Sequence, residues 1–231
     1  MNTVRQHARR VRDRSALRAD RSRRDLQAMQ VLAPLSTAYL PWSASALRPS
    51  AIVGILNEIV IRRRRRVVEL GGGVSTLYLG RLLGRHGGRL HTVEHDADWA
   101  ALLDDQLCAE GLREVVTVVL APLAPTPGGW PGAPPEWYSE AELDCVRSGG
   151  PIELLLVDGP PAWRRELRHS RYPAARFFRD SLAPGATVVL DDIDRRGERD
   201  ILARWEDELG ITFERRFADG SIAVGRMPGR P

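Results

Sequence analysis

The chain has 231 residues, of which 43% are hydrophobic and 28% are charged, as is typical of a globular protein with a sizeable core. This length allows one α/β domain but not two full domains of ordinary size. The sequence has neither a run of 18 apolar residues nor a secretory signal, so we expect a cytoplasmic protein without membrane contact. Cys108 and Cys145 have neither CxxC spacing nor a nearby His, which argues against a Cys-based metal or redox site.

Charge is distributed unevenly along the sequence. Residues 1–24 hold nine Arg against two Asp, a net charge of +7, which leaves −3 for the rest because the whole chain carries +4. A mildly acidic body lacks the broad basic face of nucleic-acid enzymes, so we do not expect nucleic acid as a partner. We interpret the tail as a solvated, partly helical extension and leave anion binding open. The sequence contains no Lys, which removes every Lys-based mechanism.

An irregular segment and a helix follow the arginine-rich tail. Residues 32–50 mix apolar residues with Pro and Ser, which predicts an ordered segment that could cover a pocket. From Pro49, apolar residues recur at helical spacing. Five consecutive arginines, Arg62 to Arg66, follow between the predicted end of this helix and a strand. Cations at the C-terminus of a helix interact favourably with the helix dipole, so we prefer a structural role for these arginines to nucleic-acid binding. We expect an N-terminal extension and cap over 1–48 and a catalytic domain over 49–231.

The rest of the sequence alternates strand and helix patterns, as in a parallel sheet with helices on both faces. Five strands are predicted, at residues 66–70, 89–94, 115–120, 152–158 and 186–191. Apolar residues at helical spacing predict helices at 75–85, 96–111, 172–182 and 198–209. The sequence closes on two short strands, 211–217 and 221–226, joined by a turn. This order predicts an α/β, Rossmann-like fold with a C-terminal antiparallel hairpin.

A glycine-rich loop separates the first predicted strand from the next helix. Gly71, Gly72 and Gly73 permit tight backbone geometry and let a ligand approach the main chain closely. Glu69 precedes this loop. Glu94 ends the next strand, where a carboxylate can accept hydrogen bonds from both hydroxyls of a ribose.

This arrangement resembles the class I S-adenosylmethionine-dependent methyltransferases, in which an acid precedes a glycine-rich loop and a second acid ends the following strand. The resemblance covers residues 50–226 and implies a seven-stranded, mostly parallel sheet that ends in a hairpin. It also implies S-adenosylmethionine as cofactor, held at its methionine part by Glu69, at its ribose by Glu94 and along the glycine loop. The adenine would lie near His95 and Ala121. Ser75 stands where the commonest pattern has a third glycine, as in some small O-methyltransferases.

Asp158 ends the fourth predicted strand, and Asp191 with Asp192 ends the fifth. Adjacent parallel strands place these ends side by side next to the crevice, so we expect the three carboxylates to converge. Such oxygens suit a hard divalent cation, which could lower the pKa of a substrate hydroxyl. The pattern is similar to catechol O-methyltransferase and its small bacterial relatives, which hold magnesium there. We therefore predict these three acids as metal ligands and leave the requirement for Mg²⁺ open.

The resemblance to these small O-methyltransferases does not extend to their catalytic base. Those relatives carry a catalytic Lys three residues after the first acid, where this sequence has Pro161. Asp158 and His169 are the remaining candidate catalytic residues, because imidazole titrates near neutral pH and this loop follows Asp158. Methyl transfer depends mainly on positioning, and four further residues could line the acceptor pocket: Trp137, Tyr138, Trp163 and Arg171.

These observations predict an S-adenosylmethionine-dependent methyltransferase that methylates an oxygen of a small hydroxylated molecule or sugar. An RNA methyltransferase is one alternative, although only the arginine-rich tail favours it. A non-catalytic or NAD-binding Rossmann protein is another, and Glu69 with the closing hairpin argues against its NAD-binding form. Pocket residues in loops do not specify the acceptor. The oligomeric state, including a homodimer, stays open.

Overall fold

The structure, a computed structural model, describes residues 2–37, 39, 41–132 and 136–229. The outer ends of both predicted domains, two residues of the predicted cap and residues 133–135 lie outside the described part. The strands are β1 (Arg66–Leu70), β2 (Arg89–Glu94), β3 (Val116–Leu120), β4 (Leu123–Pro125), β5 (Glu136–Tyr138), β6 (Ile152–Val157), β7 (Leu182–Leu190), β8 (Phe213–Arg216) and β9 (Ile222–Arg226). The α-helices are α1 (Asn2–Leu32), α2 (Pro49–Arg62), α3 (Val74–His86), α4 (Ala97–Ala109), α5 (Glu140–Ser148), α6 (Pro173–Phe178) and α7 (Arg196–Leu209).

Seven strands form the central sheet in the order β3-β2-β1-β6-β7-β9-β8. The first five are parallel, and β9 runs antiparallel to both β7 and β8. The predicted Rossmann-like fold, with its mostly parallel sheet and closing hairpin, is confirmed. The fifth predicted strand begins earlier than expected, at Leu182 rather than residue 186. The hairpin of β4 and β5 was not predicted.

The core lies on both faces of the sheet. Val67, Leu154 and Leu156 point to the face that α2 and α3 cover, whereas Val68 and Leu155 point to the face that α6 and α7 cover. Because helices cover both faces of the sheet, the sequences of the central strands are continuous apolar runs rather than alternations of apolar and polar residues. Among the described residues, no helix combines the length and apolar character needed to cross a membrane.

The sheet places the site at its topological switch point. Along the chain, β1, β2 and β3 extend the sheet in one direction, and β6 then pairs with the other side of β1. Parallel sheets of this kind open a crevice at the carboxyl ends of the two strands where the order reverses. The glycine loop follows β1 and Asp158 follows β6, so both lie at this crevice.

The end of the N-terminal helix, beyond the arginine-rich residues 1–24, packs on the domain. Ala28 and Leu32 are buried. Asp25 accepts hydrogen bonds from the backbone N–H (3.2 Å) and the hydroxyl (2.6 Å) of Ser50. This carboxylate therefore caps the first turn of α2 from outside that helix, as a local side chain commonly does.

Two arginines of the predicted pentad serve the fold. Arg64 donates to the carbonyl of Gly185 and, at 3.2 Å, to the hydroxyl of Thr187 in β7. Arg66 donates to the carbonyls of Gly150 (2.5 Å) and Val146 (2.7 Å) at the end of α5. Their guanidinium groups therefore satisfy backbone carbonyls inside the molecule, in agreement with a structural role.

Candidate active site

A cavity of about 550 Å³ opens at the carboxyl ends of the central strands. The glycine loop and Glu94 line one side, and the acids after β6 and β7 line the other. The cavity is also lined by Arg21 of α1, by Pro41 and by residues 43–48. The prediction that this irregular segment covers a pocket therefore agrees with the structure, whereas Arg21 carried no sequence signal that separated it from its neighbours.

The glycine loop leaves backbone exposed to the cavity. Gly71 adopts φ +93°, a conformation that favours glycine. A Cβ atom on Gly73 would meet no described atom within 4 Å, so this position borders open space. Gly73 immediately precedes α3, and the free N–H groups of a helix N-terminus attract anions. The loop is thus a cradle whose backbone can approach a ligand closely.

Glu94 connects the end of β2 to the glycine loop. Its Oε1 accepts from the backbone N–H groups of His95 (2.7 Å) and Asp96 (2.9 Å), and its Oε2 accepts from the N–H of Gly72 (3.2 Å). The imidazole Nδ1 of His95 lies 2.6 Å from Oε1, and this hydrogen bond raises the pKa of His95. Glu94 and His95 both line the cavity, on the side where the ribose and adenine were expected.

Trp99 also lines this side of the cavity, although no motif in the sequence singled it out. Its indole N–H donates to the carbonyl of Gly72 at 2.8 Å. Asp96 caps α4 by accepting from the backbone N–H of Trp99 at 2.9 Å. The loop, the strand end and α4 therefore form one hydrogen-bonded unit around Glu94.

Glu69 does not line the cavity, contrary to its predicted contact with the methionine part of the cofactor. Its carboxylate is fully buried beneath the loop and accepts from the hydroxyls of Ser75 (2.6 Å), Thr76 (2.5 Å) and Thr92 (2.9 Å). Burial raises its pKa to about 7, against the opposing effect of these hydroxyls. Ser75 lines the cavity but directs its hydroxyl toward Glu69. The role of Glu69 is to support the loop.

Ala121 is also absent from the described cavity wall. It is fully buried, and its backbone N–H donates to the carbonyl of Glu94 at 2.8 Å. This bond extends the pairing of β2 with β3, so the residue supports the strand end that carries Glu94 rather than facing the predicted adenine.

The three predicted acids converge as expected. One carboxylate oxygen from each of Asp158, Asp191 and Asp192 lies within 4.8 Å of the others. Burial raises the pKa of Asp158 to about 6 and, together with the charge of Asp158, raises that of Asp191 well above its ordinary value. The Oδ1 of Asp191 is buried and has no hydrogen-bond partner among the described residues. Burial and the mutual repulsion of Asp158 and Asp191 therefore disfavour the state in which both carboxyl groups are ionised.

Arg171 already supplies a cation to this cluster. Its guanidinium donates to Asp158 Oδ1 at 3.2 Å and to Asp192 Oδ2 at 3.1 Å, and its side chain is only 5% exposed. Arg195 lies 2.8 Å from the same Asp192 oxygen. Two of the three predicted metal ligands are thus bound to guanidinium groups through one oxygen each, and a divalent ion held by their other oxygens would lie next to two positive charges. The residues present do not fit a metal in this arrangement.

His169 is not placed as a catalytic base. Its imidazole is buried outside the cavity, stacks on Trp130 with ring centroids 3.9 Å apart, and hydrogen-bonds Asp200 at 3.2 Å. Burial lowers its pKa. The ring therefore fixes the loop against α7, and the prediction of a role in proton transfer is not supported by its position.

The four predicted acceptor-pocket residues divide into two groups. Trp137 is fully buried in the core and packs against Phe177 and Phe178, so its predicted place in the pocket is wrong. Three of the four line the cavity: Tyr138, Trp163 and Arg171. Trp163 is largely exposed, whereas the Tyr138 hydroxyl is buried and has no described hydrogen-bond partner.

Comparisons with known proteins agree with this architecture. A family model described as a methyltransferase domain matches residues 68–193. The sequence has no significant match among curated proteins. The fold is similar to that of the O-methyltransferase TomG from Streptomyces achromogenes, involved in tomaymycin synthesis and solved with SAM, at 17% identity over 89% of this chain and 90% of that one, with a TM-score of 0.56.

Two further solved structures show the same likeness. An O-methyltransferase from Bacillus cereus in complex with SAH is 16% identical, covers 88% of this chain and 90% of its own, and has a TM-score of 0.54. The SAH-bound methyltransferase PaMTH1 from Podospora anserina is 12% identical over 87% of this chain and 95% of its own, with a TM-score of 0.59. The chain therefore belongs to the family of methyltransferase domains, which confirms the class and the fold recognised from its glycine loop and strand-end acids.

Proposed function

We propose that the cavity binds S-adenosylmethionine and that the protein transfers its methyl group to an oxygen of a small hydroxylated molecule or sugar. The observation that carries this proposal is the open backbone cradle at Gly73, which faces the same cavity as Glu94 and Asp158. The proposed binding site for the methyl donor and the carboxylate of Asp158, which can accept a proton, therefore line the same cavity.

The donor side of the cavity offers chemically suitable groups. The positive end of α3 suits the carboxylate of the methionine part. Glu94 Oε2 accepts only from Gly72 among the described residues, so it retains the capacity to accept from a ribose hydroxyl. His95 borders the adenine side. Glu69 holds the cradle in shape without contacting the donor.

The acceptor side can remove a proton. When bound, S-adenosylmethionine would supply a methyl group on a sulfonium: the acceptor oxygen would form a bond to the methyl carbon as the carbon–sulfur bond breaks, and the electron pair of that bond would stay on sulfur. Asp158 lines the cavity, and its pKa of about 6 suits a carboxylate that takes the proton of the acceptor hydroxyl.

The size and cover of the cavity favour a small acceptor over RNA. Pro41 and residues 43–48 form part of its wall. Arg21 and Arg24 of the basic tail form ion pairs with Asp194 and Asp219 instead of presenting free charge. Aromatic contact from Trp163 at the rim suits a flat or aromatic small molecule.

The test is calorimetric titration of the purified chain with S-adenosylmethionine and, separately, with NAD. We expect saturable binding of S-adenosylmethionine alone, followed by transfer of a labelled methyl group to members of a panel of phenols, catechols and sugars. Binding of NAD without S-adenosylmethionine would contradict the proposal, as would labelling of RNA in preference to every small acceptor.

A further inference from the structure

Two arginines, Arg171 and Arg195, lie beside the acid cluster of the cavity. Asp158, Asp191, Asp192 and Glu198 surround Arg171, with Glu198 Oε1 3.9 Å from both Arg171 and Arg195. Four carboxylates thus face two guanidinium groups. Arg171 and Arg195 therefore supply positive charge to this cluster from the chain itself.

Arg171 has a fixed position and unused donors. A guanidinium has five N–H groups, and Arg171 uses one at Nε on the Pro160 carbonyl (3.3 Å), one at Nη1 on Asp192 and one at Nη2 on Asp158. Two N–H groups are left without a described partner, on a side chain that lines the cavity. A planar cation held in this way can bind an oxygen that carries developing negative charge.

We propose that Arg171 is the resident cation of this site in place of a divalent metal, and that its unused N–H groups bind the acceptor oxygen next to Asp158. The second part rests on the proposed methyltransferase function, whereas the first part stands on the geometry of the acids. The acceptor class that follows presents an ionisable hydroxyl, and its methylation needs no added metal.

The experiment measures Mn²⁺ binding by electron paramagnetic resonance in the wild-type protein and in four variants: Arg171→Gln, Arg171→Lys, Asp191→Asn and Arg199→Gln. Arg199 is the matched control because it lies on α7 and donates to the carbonyls of Ile193 and Asp194 rather than to the acids. We expect no binding up to millimolar Mn²⁺ in the wild type, in Arg171→Lys or in Arg199→Gln. Arg171→Gln removes a unit charge beside three carboxylates and should gain affinity of about tenfold or more.

Two outcomes would overturn the proposal. One is a chelator-sensitive Mn²⁺ site in the wild type that Asp191→Asn removes, and this result is decisive even if Arg171→Gln fails to fold. The other is a folded Arg171→Gln protein, verified by circular dichroism, that binds no Mn²⁺ and methylates its acceptor with unchanged KM and kcat. Failure of the methyltransferase proposal is seen separately, as absence of S-adenosylmethionine binding by the wild type.

Discussion

The backbones of Gly71 and Gly159 meet at the floor of the cavity, where β1 and β6 end. A Cβ atom on Gly71 would lie 2.8 Å from the Gly159 nitrogen, and one on Gly159 would lie 2.9 Å from Gly71 Cα and 2.1 Å from the Tyr138 hydroxyl oxygen. The N–H of Gly159 donates to the Leu70 carbonyl at 2.6 Å, which holds the two loops together. This contact joins the donor side of the site to the acid side.

Gly159→Ala should therefore destabilise the protein, because backbone on one side and a buried ring on the other cannot move aside. We expect a loss of about 1–3 kcal/mol in the free energy of unfolding, as for other overpacked sites, measured by denaturant titration. Gly84→Ala, on the exposed part of α3 with only an ordinary contact at 3.5 Å, is the control and should not destabilise. Equal stability of the two variants would contradict the close approach.

The rate of methyl transfer should fall as the pH drops through about 6, the pKa to which burial raises Asp158. Protonation removes the proton-accepting form, so below this pH the rate should decrease about tenfold per pH unit. A pH profile of kcat/KM tests this expectation. Asp158→Asn should be slow at every pH and should lack the acidic limb. If Asp158→Asn kept the acidic limb of the pH profile, that limb would report the titration of a group other than Asp158.

Glu69→Gln should change how stability depends on pH. The pKa of Glu69 is higher in the folded state, about 7, than its ordinary value of 4.5, so its stabilising contribution is present below the ordinary value and is lost as the pH rises through 7. The loss is on the order of 3 kcal/mol for the full shift. Denaturant titrations at several pH values should show a flatter curve for Glu69→Gln than for the wild type. Parallel curves would show that this carboxyl does not titrate as described.

Arg21→Ala should loosen the N-terminal helix from the C-terminal hairpin. The Arg21 guanidinium is 12% exposed and donates to the Phe217 carbonyl (2.7 Å), Asp194 (3.1 Å) and Ser221 (3.3 Å). We expect a loss of about 1–2 kcal/mol, together with faster hydrogen exchange of residues 41–48. Arg23→Ala is the matched control, since Arg23 is 68% exposed and pairs only with Asp20 among the described residues. The same effect from both variants would contradict a specific role for Arg21.

The sequence predicted those features that local pattern determines. Strands buried on both faces have continuous runs of Val and Leu, and the glycine loop between β1 and α3 is recognisable from its own residues. Glu94 follows from its place at the end of the next strand. Each of these depends on short stretches of chain, so spacing alone was sufficient to locate them.

Features that depend on neighbours distant in the sequence were missed. The direction of Glu69 is set by hydroxyls on α3 and β2, and the need for glycine at 159 arises only because β6 lies beside β1. Three-residue strands such as β4 are too short to produce a periodic pattern. His169 and Arg171 stand two residues apart in one loop, yet the first contacts α7 and the second returns to the acids. No sequence pattern distinguishes an arginine that replaces a metal from an exposed one.

The most direct test of the donor site compares S-adenosylmethionine binding by the wild type, Gly73→Ala, Glu94→Gln and Gly84→Ala in one calorimetric series. A Cβ atom on Gly73 would meet no described atom within 4 Å, so we expect Ala to fit there in the free protein and to compete with a ligand for the cavity. We predict that Gly73→Ala has the thermal stability of the wild type but loses most of its affinity for S-adenosylmethionine, that Glu94→Gln is also weakened, and that Gly84→Ala binds normally. A Gly73→Ala protein that binds as tightly as the wild type would contradict the account.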